Sequence, residues 1–309
     1  MKSKRFYLIA VLLLVAGFTT FLVGFSMMDF NPQNFDSEPP YIERVYKPVG
    51  NPQKIVINDS EADINITASK DNTLRIKYYE NVNKHYAVTE SAGEIKLSKR
   101  RTSGFIHNLL TLSKSNLVVT VEVPENFAGS ITVKTTDGNL TAEDASFKNL
   151  NADIKNGNVR LSNLSLSGQA DIKSDGGEIR VYDITLQKNC KLLCKNGELF
   201  AWSITADKLY STSENGLMTL AYINADSIFA ENDERDIKIS CLSFKNDAHL
   251  LSEKGNITGT VLGVMEDFTF NCQAPNGNSN IDNTLYQGDK NLHITTEEGN
   301  IDISLNSPT

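Results

Sequence analysis

The sequence predicts an all-β protein: a β-solenoid of the single-stranded, parallel β-helix type, with a β-rich N-terminal region and one preceding transmembrane helix. Three observations predict this fold. A glycine turn recurs about every 20 residues, apolar and polar residues alternate on both sides of each turn, and no segment between turns is long enough for a crossover helix.

The repeated phrase is a polar residue, a glycine, a polar residue and an aliphatic residue, as in Asn156-Gly157-Asn158-Val159. Successive copies are 19 to 22 residues apart, and one degenerate copy carries Arg235 in the glycine place. We expect glycine here because it adopts positive φ without a Cβ clash. The predicted structural turn glycines are Gly138, Gly157, Gly177, Gly197, Gly216, Gly255, Gly277 and Gly299.

Alternation around each glycine predicts strands. Leu150, Ala152 and Ile154 precede one turn, and Val159 and Leu161 follow it, with polar residues between them. Successive side chains of a strand point to opposite faces, so this period of two places the apolar set on one face. A unit of about 20 residues cannot bury that face alone, so stacked coils are expected to share one continuous core.

The N-terminal segment predicts a membrane anchor. Residues 6–28 contain no charged side chain and are long enough to span a bilayer as a helix. Lys2, Lys4 and Arg5 precede this segment, which predicts a single-pass protein of the cell membrane with a cytoplasmic N-terminus and an extracellular bulk. A cleaved signal peptide is the alternative.

The chain therefore divides into five predicted regions. They are a cytoplasmic tip and anchor at 1–28, a proline-containing linker at 29–50, an irregular β-rich opening region at 51–130 with an insertion at 99–116, regular solenoid repeats at 131–305, and a tail at 306–309.

Composition and motifs argue against several functions. The net charge of −8 argues against nucleic-acid binding. No catalytic motif is present and no cofactor is expected, so the protein is predicted not to be an enzyme; a polysaccharide-active β-helix enzyme is the minor alternative. No metal site is expected, since the cysteines lack C-x-x-C spacing and His249 and His293 should lie two coils, or about 10 Å, apart.

Outward aromatic side chains in the central coils are the predicted ligand-binding residues. Rows of exposed rings suit sugars, flat ligands or a partner protein. The alternative is that the rings stack only to stabilise neighbouring coils. The predicted residues are Tyr182, Phe200, Trp202, Tyr210, Tyr222, Phe229 and His249.

A basic and then apolar segment interrupts the opening region. It contains Lys99, Arg100 and Arg101, followed by Phe105 and Ile106. This order predicts contact with anionic lipid or with a membrane partner. The alternative is a loop that caps the end of the solenoid.

The anchor, the opening strands, a β-branched strand that stops at Pro124 and the repeated glycine phrases together resemble the bacterial DUF4097 family, whose members are also labelled candidate adhesins. The resemblance covers most of residues 50–305. It implies surface display and adhesion, and some similar proteins accompany cell-envelope stress systems. It supplies no catalytic motif.

Two functions remain open at this point. The first is a non-enzymatic extracytoplasmic surface protein, an adhesin or envelope-binding module whose outward solenoid face contacts cell-wall polymer, glycan or envelope protein. The second is a scaffold or regulator that contacts a membrane partner in a cell-envelope stress pathway.

Overall fold

The computed structural model describes residues 2–26, 39–101, 117–283 and 287–307. The described residues form one helix, α1 (Lys2–Ser26), a short 3-10 helix (Met265–Asp267) and 21 strands that pair into one continuous sheet. The strands are β1 (Ile42–Tyr46), β2 (Lys54–Asn58), β3 (Asp63–Ala68), β4 (Arg75–Glu80), β5 (Lys84–Ser91), β6 (Glu94–Arg101), β7 (Val118–Val123), β8 (Ser130–Thr135), β9 (Leu140–Phe147), β10 (Asn149–Ile154), β11 (Val159–Leu166), β12 (Ala170–Ser174), β13 (Ile179–Leu186), β14 (Cys190–Cys194), β15 (Leu199–Ser213), β16 (Met218–Asn232), β17 (Ile237–Ser252), β18 (Ile257–Leu262), β19 (Phe268–Gln273), β20 (Lys290–Thr296) and β21 (Ile301–Asn306).

The coils stack in parallel and in register, which confirms the predicted β-solenoid. Leu150 pairs with Ala170, and Val159 pairs with Ile179. We name the strands before the turn of each coil stack A and those after it stack B. In spatial order, stack A is β6, β2, β8, β10, β12, β14, the second halves of β15, β16 and β17, β20 and β19, whereas stack B is β7, β3, β9, β11, β13, the first halves of β15, β16 and β17, β18 and β21.

The interior is one column of apolar side chains from end to end. Within β11, Val159, Leu161, Leu164 and Leu166 are buried, and Arg160 between them is exposed. The same alternation in each coil places the aliphatic side chains in a single buried cluster. Burial of this shared surface is the main stabilising contribution to a fold whose single coils have no core of their own.

The turn glycines are required by close approach between coils, so the predicted positive φ is wrong. Among the described glycines, only Gly93, Gly259 and Gly263 have positive φ. A Cβ atom on Gly157 would instead lie 2.0 Å from the carbonyl oxygen of Gly138 on the preceding coil. The coils can approach to their stacking distance at this corner because no side chain stands between them.

The left-handed backbone occurs six residues after the glycine, at a bend within stack B. Its residues have φ between 49° and 57°, and Asn163 donates to the Asp144 carboxylate at 2.7 Å. Asn and Asp tolerate this region because their short side chains bond locally. The bend residues are Asp144, Asn163, Asp183, Ser203, Tyr222 and Cys241.

A buried column of mostly polar side chains lies inside the glycine corner, three residues before most of the turns; Ile154 and Ala274 hold this place before Gly157 and Gly277. The hydroxyl of Ser252, for example, accepts from the Gly255 amide at 2.9 Å and donates to the Arg235 carbonyl at 3.2 Å. These groups satisfy turn amides and carbonyls that have no strand partner. The column contains Thr135, Ser174, Cys194, Ser213, Asn232, Ser252 and Thr296.

The order of the coils at both ends differs from their order in the chain. The coil of β2 and β3 lies between the coil of β6 and β7 and that of β8 and β9. At the other end, β20 lies between β17 and β19, and β21 pairs with β18. The first and last coils in the sequence are therefore both covered by another coil.

Antiparallel strands cap the N-terminal end. β5 pairs with β6, β4 pairs with β7, and β1 pairs with β4. β1 lies inside the predicted linker 29–50, so part of that segment is sheet, because it supplies the outer partner of β4. Residues 102–116, most of the predicted insertion, lie outside the described residues.

Candidate functional site

The predicted ligand-binding residues separate into two sets on different strand stacks. Tyr210, Phe229 and His249 lie on stack A, where His293 continues the row; we name these four residues the ring ladder. The other set lies on stack B and its bend, and we name it the aromatic patch: Tyr182, Phe200, Trp202 and Tyr222.

The ring ladder is a continuous offset stack. Centroids of Tyr210 and Phe229, and of Phe229 and His249, are each 5.0 Å apart, with ring planes within 7° of parallel. The faces of Phe229 and His249 are each turned towards a neighbouring ring. Parallel offset stacking of this kind stabilises adjacent strands, and it leaves the inner rings little free face for a sugar.

His249 and His293 are direct neighbours, which corrects the predicted separation of two coils. Their ring centroids are 4.5 Å apart because β20 inserts next to β17. Partial burial, followed by the charge of His293, lowers the pKa of His249, and Asp247 opposes this shift. Within the described part of the chain, no group of three or more His, Cys, Asp or Glu side chains is placed to hold a metal ion.

The aromatic patch has a different geometry. The Trp202 and Tyr222 rings are 4.5 Å apart and inclined at 53°, while Tyr182 and Phe200 are 5.4 Å apart and inclined at 38°. Trp202 is 40 % exposed and Tyr222 is 50 % exposed. Outside α1, these two are the exposed aromatic side chains of the described residues. Inclined rings leave faces open to solvent, as binding of sugars or apolar groups requires.

Tyr222 occupies a strained position. Its φ is 54°, in a column where the two neighbouring coils carry Ser203 and Cys241 and the coils beyond Ser203 carry Asp183 and Asn163. A bulky side chain in the left-handed region costs on the order of 1 kcal/mol or more, and residues held there cluster at functional sites. Ala221 lies beside Trp202 on the next coil, where its small side chain leaves room for the indole to reach the Tyr222 ring.

Cations border the aromatic patch. The Arg160 guanidinium lies over the Tyr182 ring, 5.2 Å from its centroid. Arg180 donates to Glu178 at 2.8 Å, and this hydrogen bond raises the pKa of the guanidinium. Sequence reasoning missed Arg160, although its position in the outward column next to Tyr182 was a usable signal.

A polar surface, separate from the ring ladder and the aromatic patch, runs along the glycine turns. It is a groove of about 920 Å³ whose walls include Glu178, Glu198, Asp236 and Lys254. The groove exists because glycines leave the corner without side chains. Its charges are of both signs and are partly paired, as in the bond from Lys254 to Glu234 at 2.6 Å.

The basic segment is not a free cationic surface as far as the structure describes it. Lys99 is almost fully buried and lies 3.4 Å from both Asp59 and Glu61, which corrects its prediction as a membrane contact. Because of its position in β6, the side chain points towards the turn between β2 and β3, where a cation compensates the charge of the buried Asp59 carboxylate. Arg100 is exposed. The Arg101 side chain, Phe105 and Ile106 lie outside the described residues.

The N-terminal helix is long and apolar enough to cross a membrane. Residues Ile9–Ser26 have a mean hydropathy of 2.3 and are not buried against the rest of the protein. This length and hydropathy fit both an uncleaved anchor and a signal sequence near the N-terminus.

Three solved structures are similar to this chain over most of its length. A candidate adhesin from Bacteroides fragilis is 18 % identical, with 87 % of this chain and 99 % of that chain covered and a TM-score of 0.49. A candidate adhesin from Parabacteroides merdae is 13 % identical, with 87 % and 98 % covered and a TM-score of 0.45. A candidate lipid binding protein from Parabacteroides distasonis has the same identity, coverage and TM-score.

No curated protein shows significant sequence similarity to this chain. The family described as Toastrack DUF4097 matches residues 52–307, which include every described strand except β1. The match extends over the whole solenoid, and the chain belongs to the Toastrack DUF4097 family.

Proposed function

We propose that this protein is a membrane-tethered, non-enzymatic surface module of the adhesin type, and that it binds an envelope or cell-surface polymer through the aromatic patch. The observation that carries the proposal is the exposed, inclined pair of Trp202 and Tyr222. A rigid solenoid holds both rings in place, so little conformational entropy is lost when a ligand binds.

The strain at Tyr222 supports the choice of this surface. The other bend residues are small or polar, and a serine or aspartate there would satisfy the backbone at lower cost. A tyrosine at that bend adds a large ring next to Trp202. The ring ladder, by contrast, directs its inner ring faces at one another, and its contribution to the packing of coils is sufficient to explain it.

The proposed topology follows from the N-terminal helix. Lys2, Lys4 and Arg5 precede the apolar segment, and basic residues remain on the cytoplasmic side of a membrane. The solenoid then lies outside the cell with its capped N-terminal end joined to the anchor through residues 27–41. The patch, on the central coils, is displayed away from that end.

The test is binding of the full chain, kept in uncharged detergent micelles, to isolated cell-wall material by co-sedimentation. We expect Trp202→Ala and Tyr222→Ala each to reduce the bound fraction strongly, because each removes an exposed ring face. Phe229→Leu in the ring ladder is the matched control and should retain binding. Circular dichroism checks that all variants keep their strand content.

Equal binding by Trp202→Ala and the unmodified chain would refute the patch as the binding surface. The regulator hypothesis would then be favoured if crosslinking in intact membranes captured an envelope protein through the membrane-proximal coils. Such a crosslink would be sought from Arg100, which is exposed in the part of the basic segment that the structure describes.

A further inference from the structure

We infer that the polymer bound by the aromatic patch is an anionic polysaccharide, whose carboxylate or phosphate groups pair with Arg160 and Lys238. This inference rests on the proposed function and adds the chemical class of its ligand. It depends on the register of stack B, on the ion pairs of its cations and on the charge of the rest of the protein.

The register places one cation on each side of the rings. Along one outward column of stack B, Arg160 pairs with Arg180, which pairs with Phe200. Phe200 pairs with Thr219, which pairs with Lys238. Arg160 and Lys238 are thus four coils, or about 19 Å, apart. An extended polymer of a few sugar units could contact both cations and cross the rings between them.

The two outer cations are available for a ligand. Arg160 and Lys238 are both exposed, and within the described part of the chain neither forms an ion pair. Arg160 is held over the Tyr182 ring, which orients its guanidinium without neutralising it. Arg180 between them differs, because Glu178 at 2.8 Å and Glu198 at 3.6 Å compensate its charge.

What distinguishes Arg160 and Lys238 is their position beside the aromatic patch. The chain has a net charge of −8; some surface cations are bonded to acids, as Lys173 is to Asp175 at 2.9 Å and Lys254 is to Glu234 at 2.6 Å, and others, such as Lys191, lie on stack A away from the patch. A neutral glycan would need the rings but not the free cations. Guanidinium and ammonium groups beside open ring faces match a sugar chain that carries regularly spaced anions.

The acidic groups nearest this column limit where the anions can lie. Glu178, Glu198 and Asp236 are on the glycine side; Arg180 engages the two glutamates, and Asp236 accepts from the Asn256 amide at 2.8 Å, while Asp183 projects from the bend on the other side. The ligand anions are therefore expected at the two ends of the patch, near Arg160 and Lys238. The sugar rings are expected between them, over Trp202 and Tyr222.

The experiment compares three probes on the full chain in uncharged micelles: polygalacturonate for carboxylate, a glycerol phosphate polymer for phosphate, and neutral dextran. Affinity electrophoresis measures retardation at low and at high salt. We expect one or both anionic polymers to bind more tightly than dextran, with affinity falling as salt rises, since exposed charge pairs are screened. The probe that binds identifies the anion.

Arg160→Gln and Lys238→Gln should each weaken binding of the anionic probe by about two- to fivefold at low salt and flatten the salt dependence. Lys191→Gln is the matched control, an exposed lysine on stack A beside Tyr210, and should change nothing.

Failure of the inference can be told from failure of the proposed function. If dextran binds as tightly as the anionic polymers, without salt dependence, and Trp202→Ala still removes binding, the patch stands and the anionic class is wrong. If Arg160→Gln and Lys238→Gln both bind the anionic polymers like the unmodified chain, the assignment of these two cations is wrong. If Trp202→Ala binds every probe normally, the proposed function itself is refuted.

Discussion

The hydroxyl of Ser174 lies 3.0 Å from the carbonyl oxygen of Gly157 on the neighbouring coil, and it accepts from the Gly177 amide at 3.1 Å. One buried side chain therefore joins two successive turns. Ser174→Ala would leave a buried carbonyl and a buried amide without this partner, and we expect it to lower the free energy of unfolding by about 1–3 kcal/mol. Urea unfolding followed by circular dichroism measures the change. Ser165→Ala, at an exposed position of β11, is the control, and an equal loss in both variants would contradict the assignment.

Two adjacent glycines of one turn can show whether glycine is needed there for the space between coils or for the flexibility of the backbone. A Cβ on Gly177 would lie 2.2 Å from the Gly157 carbonyl oxygen, whereas the nearest atom to a Cβ on Gly176 is 3.1 Å away. Neither glycine has positive φ. We expect Gly177→Ala to force two coils apart and to lower the unfolding midpoint much more than Gly176→Ala, because backbone cannot move aside as a side chain can. Similar midpoints for the two variants would show that coil spacing does not select glycine.

Two tyrosines near the N-terminal end of the solenoid predict a loss of stability at alkaline pH. Tyr86 donates to the buried Asp59 carboxylate; burial, and then the charge of Asp59, raises the pKa of Tyr86. Burial also raises the pKa of Tyr46 to about 12. Above about pH 10 the unfolded chain loses tyrosine protons that the folded chain retains, so stability falls as pH rises.

Thermal melting between about pH 9 and 11 measures this slope, and Tyr86→Phe should flatten it. Tyr222→Phe on the exposed bend is the control and should leave the slope unchanged. A Tyr86→Phe slope as steep as that of the unmodified chain would exclude Tyr86 as the source.

The histidine pair predicts a loss of stability at acid pH. The pKa of His249 is lowered by burial and then by His293, so the folded state favours the neutral ring. Below about pH 6.5 the unfolded chain binds protons more readily than the folded chain, and stability falls as pH falls. His249→Phe would extend the aromatic row and should reduce the difference between melting temperatures at about pH 7.5 and 5.5. His85→Phe, on β5 at the opposite end, should not.

Two asparagines close the C-terminal edges of the sheet. The Asn283 side chain accepts from the Cys272 amide at 2.6 Å and donates to its carbonyl at 2.8 Å, while Asn280 makes both bonds to Ile303 at 3.0 Å. We expect the double variant Asn280→Ala, Asn283→Ala to self-associate, because open strand edges pair with other chains. Sedimentation velocity at several concentrations measures this. Asn271→Ala, on the outward face of β19, is the control, and a monomeric double variant would refute the capping role.

The regular coils were readable from the sequence because every coil repeats the same inward pattern. Leu150, Ala152 and Ile154 have the same spacing as Ala170, Ile172 and Ser174, and the structure pairs them one to one. A period of two specifies strand and face, and a period near 20 specifies the coil, without knowledge of any long-range contact.

The roles within the glycine corner were only partly readable. The alternation of the sequence puts Ser174 and Cys194 on the inward face, but it does not show that these side chains bond the turns of two coils. Glycine was placed correctly for the wrong reason, because a sequence shows that a side chain is missing but not which neighbouring atom excludes it.

The sequence by itself determined the class of the fold, the inward columns, the apolar N-terminal helix and the outward position of the rings. Tertiary structure alone decided which coil neighbours which at the ends. Any coil with the same alternation can stack on any other, so β20 can insert beside β17 as readily as β19 could. That choice brought His249 against His293 and buried Lys99 against Asp59.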